Sequence, residues 1–283
     1  FILPFIIGLV VFTAIPFFTS LYLAFTKYNV LSDPKWVGLA NFKEMFFEDE
    51  LFWTSFKVTF KFALIQVPVK LTVALLVAMV LARATRVTSF YRAAFYIPSL
   101  MGGSVAIALL WKQLFSPKGA TNQILGFFGL PDDTAWLGNP KTALGTLIAL
   151  GVWQFGSSML IFLAAIKNIP SSYYEAAIVD GAGPVRRFFS ITLPLLTPII
   201  FFNLINQVIG AFQAFNSSYL ITKGKPLNTT LYYGVHLYNK AFNQFEMGYG
   251  SAMAWFMLLI IAFFTALIFR SSSAWVYYES EGR

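Results

Sequence analysis

The chain has 283 residues, 58% of them hydrophobic and only 11% charged, and its mean hydropathy of +0.68 sets it apart from water-soluble domains. It has no cysteine and a single histidine, which excludes a disulfide framework, a thiolate metal site and an imidazole cluster. The net charge of +8 comes from basic residues scattered between apolar runs, with no basic tract to bind nucleic acid.

A spanning helix needs about 20 mainly apolar residues, and six segments qualify: 1–25, 60–82, 93–115, 143–166, 195–221 and 250–269. The predicted fold class is therefore an all-α integral membrane protein, one six-helix domain over 1–283. The sequence starts at Phe1, without Met and already inside an apolar run too long for a signal-peptide core, so a preceding N-terminal segment is expected.

Six spans put the connections alternately on two sides. Side A takes 83–92, 167–194 and the tail from 270; side B takes 26–59, 116–142 and 222–249. Every arginine (83, 86, 92, 186, 187, 270, 283) falls on side A, whereas every lysine except Lys70 and Lys167 falls on side B or its border. The side-B lysines are more numerous but spread over longer loops, so the density of cations points to side A as cytoplasmic. On side B, "GLANFKEMFFEDELFWTSF" places Phe42, Phe46, Phe47 and Leu51 at helical spacing, with Asn41 positioned to cap, and reads as a helix lying in the interface. Trp36, Trp53, Trp136, Tyr232 and Tyr233 suit an aromatic belt.

Side A contains a compact hairpin, "YYEAAIVDGAGPVRRFFSITLPLL". Pro170 closes the fourth span, and Ser172 with Glu175 has the spacing of a capping box. Gly181 is placed to end the first short helix in a left-handed turn, and Gly183-Pro184 to open a second. Leu193-Pro194 is expected to mark the entry to the fifth span. The first helix is too short to be stable alone, so it packs either on its own bundle or on a partner.

The spacing Glu175-Ala176-Ala177, three residues, Gly181, nine residues, Ile191, one residue, Leu193-Pro194 resembles the EAA loop of permease subunits of binding-protein-dependent ABC importers. The six-span layout, "FILPFIIGLVVFTAIP" and "YLITKGKPLNTTLYY" extend the resemblance, over nearly the whole chain, to the maltose and glycerol-phosphate permease group. It implies the type I importer permease fold and a second permease subunit. It also implies two cytoplasmic ATPase subunits that hold ATP and Mg, an extracytoplasmic solute-binding protein, and a place in the bacterial cytoplasmic membrane. Glu175, Ala176, Ala177, Asp180 and Gly181 would then form the coupling helix that sits in a cleft of the ATPase. The chain has no phosphate loop, metalloprotease motif or nucleophile elbow, so no cofactor or catalytic residue is expected in it.

Intramembrane polar residues are candidates for the solute path. In the fifth span Asn203, Gln207, Gly210, Ala214 and Ser217 form one stripe, with Asn206 and Gln213 beside it. Such a stripe suits sugar hydroxyls or helix-to-helix contacts equally. By the resemblance Gln207, Gly210, Ala211 and Ala214 would face the cavity, and Trp153, Gln154, Ser157 and Ser158 would face it from the fourth span.

Lys70 is a lone cation in a span without Asp or Glu, with Pro68 nearby to kink the helix. It must reach the interface, a carboxylate on a partner, or an anionic solute. An acidic oligosaccharide would satisfy it, and the chain resembles the oligosaccharide branch of the family, down to the first permease subunit of a bacterial alginate importer. His236 reads as an interfacial structural residue. A channel or ion-coupled secondary transporter is the alternative class, but it would call for intramembrane carboxylates or paired broken helices in two halves.

Overall fold

The computed structural model describes residues 1–82 and 88–277; Arg83, Arg86 and Arg283 lie outside them. Four helices are long and apolar enough to cross a membrane unaided: α1 (Leu3–Ala24), α3 (Glu50–Ala82), α10 (Pro184–Phe212) and α12 (Met247–Trp275). Two bent helix pairs are long and apolar enough only when each pair is taken together. Helices α4 (Thr88–Met101) and α5 (Val105–Leu114) meet at 105°, and α7 (Ala143–Trp153) and α8 (Gly156–Asn168) at 42°. Shorter helices, α2 (Ala40–Phe47), α6 (Ala120–Phe127), α9 (Ser171–Val179) and α11 (Tyr233–Tyr238), occupy the connections, with a two-residue pairing of Thr26–Lys27 and Lys35–Trp36.

The hub is α3, which runs unbroken through Pro68 and packs against α7, α8 and α10. Its buried face presents Phe62, Val67, Leu71 and Ala74 to Leu147, Met159 and Phe162. Outside this core, α1 is almost wholly exposed and is tethered to α12 near its end, where Trp255 Nε1 donates to Ser20 Oγ (3.1 Å) and packs on Phe17. Exposed apolar helix faces are the expected outcome where lipid is the solvent.

The 93–115 segment does not form one span. Its helix stops at Met101 and restarts behind Ser104, whose Oγ accepts from Ile107 N (3.3 Å). Two consecutive glycines and a capping serine terminate and re-nucleate a helix at once.

The fifth span also differs from its expected bounds. It starts at Pro184 in the hairpin and contains a wide turn at Phe188–Thr192, so Pro194 lies inside a continuous helix. A proline without an N–H fits behind such a widened turn because the ladder is already displaced. The same span ends at Phe212, and a non-helical break at Gln213–Phe215 interrupts the stripe predicted to reach Ser217.

On side B the single interfacial helix divides in two at Glu48-Asp49. Asn41 does not cap α2; its amide donates to the carbonyls of Ala24 (2.8 Å) and Thr26 (2.9 Å), which are buried and need a donor. Asp49 caps α3 instead, accepting from the amides of Leu51 and Phe52 through Oδ1. Its Oδ2 accepts from Tyr249 (2.6 Å) and meets His236 Nε2 (2.7 Å), so His236 is a buried structural residue that ties α11 to the start of α3. Burial raises the Asp49 pKa, but the hydrogen bonds from Tyr249 and His236, the His236 charge and the Phe52 amide outweigh it and hold the carboxyl below its ordinary value.

Tyr232 and Tyr233 belong to the core and not to an interfacial belt. Both are fully buried, and Tyr233 is tied into the bundle: its amide donates to Thr59 Oγ1 (2.7 Å) and its hydroxyl to Met253 O (2.8 Å). The loop after the fifth span folds inward over the bundle, which a reading of tyrosines as interface anchors does not anticipate. Trp36 and Trp53 remain exposed.

Candidate functional site

A cavity of about 330 Å³ opens where α3, α7, α10 and the α4–α5 joint converge, a size within the range of small-molecule sites. Among the sequence candidates it collects Lys70, Gln154, Gln207, Gly210, Ala211, Gln213 and Ala214. Ser217, the last residue of the predicted stripe, lines it too, and it adds Gln66 and Asn216. Gln66 and Lys70 share a face of α3 by their i, i+4 spacing. Lys70 is half-buried, and among the described residues it has no carboxylate within ion-pairing distance. The rest of the wall combines amides and small residues with the apolar side chains of Phe62, Leu150 and Phe215.

Several of these amides already hold the fold. Gln154 Nε2 donates to Gly102 O (3.2 Å), and the Gln154 backbone carbonyl accepts from Ser99 Oγ (3.2 Å). Asn216 Nδ2 reaches Gly103 O at 3.5 Å. The α4–α5 joint is thus pinned to the fourth and fifth crossings. A Cβ at Gly102 would lie 2.4 Å from Gln154 Oε1, so a side chain there displaces the Gln154 amide from its bond to Gly102 O. Gln207 Nε2 donates to Ser158 Oγ (3.1 Å), joining α10 to α8 beside the cavity.

Other candidates lie elsewhere. Asn203 is buried and donates to Ile199 O (3.1 Å); Asn206 donates to Phe202 O (2.8 Å), so each amide serves its own helix. Trp153 is exposed and stands 5.8 Å from the Trp111 ring, and Ser157 is exposed with its amide donating to Ser99 Oγ. Gln66 and Asn216 escaped the sequence reading. The signal for Gln66 was a buried amide one helical turn before Lys70; for Asn216 there was none, because its role depends on the break at 213–215.

The hairpin forms a second site. Helix α9 begins directly after Pro170, whose extended backbone sets the start at Ser171, so Ser172 and Glu175 fall inside the first turns and the expected capping box does not form. The other end closes as read. Gly181 has φ +74°, its amide donates to Ile178 O (3.0 Å), and the Ala182 amide donates to Ala177 O (2.8 Å), the two bonds of a Schellman motif. Tyr174 faces inward and its hydroxyl shares a hydrogen bond with Thr192 Oγ1 (2.9 Å), which fixes α9 to the foot of α10. Glu175, Ala176 and Asp180 are exposed and Ala177 is half-buried. Ile178, Val179 and Val185 present apolar surface beside them.

Comparison with known proteins is consistent with this architecture. Residues 1–276 match the family described as binding-protein-dependent transport system inner membrane component. The chain is 56% identical over 283 residues to the probable ABC transporter permease protein YesP of Bacillus subtilis (strain 168), covering 99% of this chain and 92% of that protein. It is 33% identical over 268 residues to the probable starch degradation products transport system permease protein AmyD of Thermoanaerobacterium thermosulfurigenes, covering 93% and 89%. Its fold is similar to a chain of a bacterial alginate ABC transporter crystallised with an alginate pentasaccharide-bound periplasmic protein, with TM-score 0.82, 23% identity, and 95% and 91% of the two chains covered. The chain belongs to the family of inner membrane permease components of binding-protein-dependent transport systems.

Proposed function

We propose that this chain forms one wall of the translocation pathway of an oligosaccharide importer and transmits ATP-driven motion to it. The observation that carries the reading is α10. A single 29-residue helix starts at Pro184 in the exposed hairpin and ends at Phe212 beside the cavity. At about 1.5 Å per residue it spans roughly 43 Å. A force applied to the hairpin moves Gln207, Gly210 and Ala211 as one body, since α9 is bonded to α10 through Tyr174 and Thr192.

In this reading the hairpin is cytoplasmic and Glu175, Ala176, Ala177, Asp180 and Gly181 dock on an ATPase subunit. ATP and Mg belong to a pair of such subunits. A second permease chain faces the cavity, and a solute-binding protein delivers the sugar on side B. The density of arginines on side A supports the orientation. Amides beside the aromatic rings of Phe62 and Phe215 fit sugar hydroxyls and ring faces, and a permease relative carries the name of starch degradation products.

Lys70 narrows the solute. An ammonium held among amides, without a carboxylate among the described residues, is matched by a uronate on the sugar. The test is ATPase stimulation of the assembled complex with its binding protein, challenged with neutral and uronate oligosaccharides. Stimulation by uronates that falls about tenfold or more in Lys70→Met supports the pairing. Stimulation by neutral sugars that Lys70→Met leaves intact removes the acidic substrate and keeps the importer, while no response to any oligosaccharide removes the substrate class.

A further inference from the structure

A second cleft, of about 710 Å³, lies between α3 and α7 at their side-B ends. Its rim carries Lys57, Lys61 and Lys141, all exposed, and its floor is formed by Ile65, Leu144 and Ile148. Among the described residues none of the three ammonium groups has a carboxylate within ion-pairing distance.

This cleft is not the mouth of the cavity that holds Lys70. On α3 the cleft takes Lys57, Val58, Lys61 and Ile65, and the cavity takes Phe62, Gln66 and Lys70. Lys57, Lys61 and Ile65 have i, i+4, i+8 spacing, as do Phe62, Gln66 and Lys70, and these two rows are offset by five residues, about 140° around the axis, with Val58 on the flank between them. Burial agrees: Ile65 is exposed and Gln66 is buried. The two openings therefore lie on opposite sides of the seam between α3 and α7.

Farther along α3 the exposed Leu76 returns to the cleft face, eleven residues and about 20° around the axis from Ile65. Helix α3 has 33 residues, roughly 50 Å, against a hydrocarbon core of about 30 Å. Lys57 and Lys61 sit in its side-B half, and Lys141 stands two residues before α7 begins, which places the three toward the side-B headgroups. Cations at the headgroup level above an apolar groove match one occupant in charge and in shape.

We propose that this cleft binds an anionic phospholipid of the side-B leaflet, its phosphate held by Lys57, Lys61 and Lys141 and an acyl chain lying over Ile65 and Ile148. The charge complementarity is of the kind by which basic residues near a membrane surface recruit anionic lipid.

The experiment is native mass spectrometry of the purified, assembled complex titrated with phosphatidylglycerol and, in parallel, with phosphatidylcholine of the same acyl chains. The wild-type complex is expected to retain phosphatidylglycerol preferentially. The triple variant Lys57→Gln/Lys61→Gln/Lys141→Gln should lose that preference, with apparent affinity for phosphatidylglycerol falling roughly tenfold or more, while the matching triple arginine variant keeps it. Equal retention of both lipids by the wild-type complex would overturn the proposal, whatever the variants do. Displacement of phosphatidylglycerol by millimolar glycerol phosphate would assign the lysines to a free anion, and displacement by a uronate oligosaccharide would assign them to the solute; either result overturns a lipid site.

Discussion

The hairpin and the cavity lie at the two ends of α10 and are built in opposite ways. The hairpin closes on its own backbone, through the Schellman bonds at Gly181 and Ala182, and leaves Glu175, Asp180 and Val179 turned outward. In the cavity the amides of Gln154, Asn216 and Gln207 bond to groups on other helices. An outward side chain can therefore be changed without disturbing the fold, whereas a cavity side chain cannot be changed without moving the joint it holds. Function and stability separate at one end of α10 and are entangled at the other.

The largest expected effect tests the clean separation. Glu175→Lys places a cation on the exposed face of α9 and should abolish uptake and weaken retention of the ATPase by tenfold or more, on the order of the energy of a charge-assisted contact. The thermal midpoint of the permease should stay unchanged, because Glu175 is exposed and makes no ion pair among the described residues. Copurification of the ATPase with a well-inserted variant decides it; full retention would detach Glu175 from coupling.

The next effect tests the entanglement. Gly102→Val forces a side chain against Gln154, where even a Cβ would stand 2.4 Å from Oε1. Overpacking of this kind costs about 1–3 kcal/mol, so uptake and thermal stability should fall together while the ATPase remains bound. A variant that lost uptake at unchanged stability would show that Gln154 serves the solute and not the joint.

These two regions were unequally legible in the sequence. The hairpin is specified by neighbours: Pro170, Gly181 and Pro184 act within one turn of themselves; the capping box failed because Pro170 starts the helix two residues early, and the entry to the fifth span moved from Leu193-Pro194 back to Pro184. The cavity depends on residues far apart in the chain, such as Lys70, Gly102 and Gln207. Periodicity could place Gln207 and Gly210 on one face, but it could not see that the helix ends at Phe212 or that the third crossing breaks at Gly102-Gly103. Tyr232 and Tyr233 failed for the same reason, since an inward-folding loop has no periodic signature.

The side-B capping network offers a stability effect that should leave both ends of α10 alone. Asp49→Ala leaves His236 and Tyr249 without their shared acceptor and removes the cap of α3, at an expected cost of about 2–4 kcal/mol in detergent unfolding. Because the folded pKa of Asp49 lies below its ordinary value, its contribution is present above that ordinary value, near 4, and is lost as the pH falls through the lowered folded pKa. The wild-type protein should lose stability over this acidic range, and Asp49→Asn should flatten the dependence. An unchanged profile in the variant would assign acid sensitivity to other carboxylates.

The smallest expected effect returns to the hairpin and asks what Gly181 is for. A Cβ there would meet nothing within 4 Å, so no steric contact with the rest of the chain requires glycine. Its φ of +74° does, since a side chain in the left-handed region costs about 1–2 kcal/mol in most residues and less in asparagine. If glycine serves only to end α9, Gly181→Asn should keep ATPase retention near wild type and Gly181→Ala should lower it a few-fold, in step with the strain. If the ATPase cleft needs the bare backbone for close approach, the two variants should fail alike, and the bulkier asparagine should fail first. The ratio of the two retentions, measured on the same preparation, separates a turn requirement from a docking requirement at one residue.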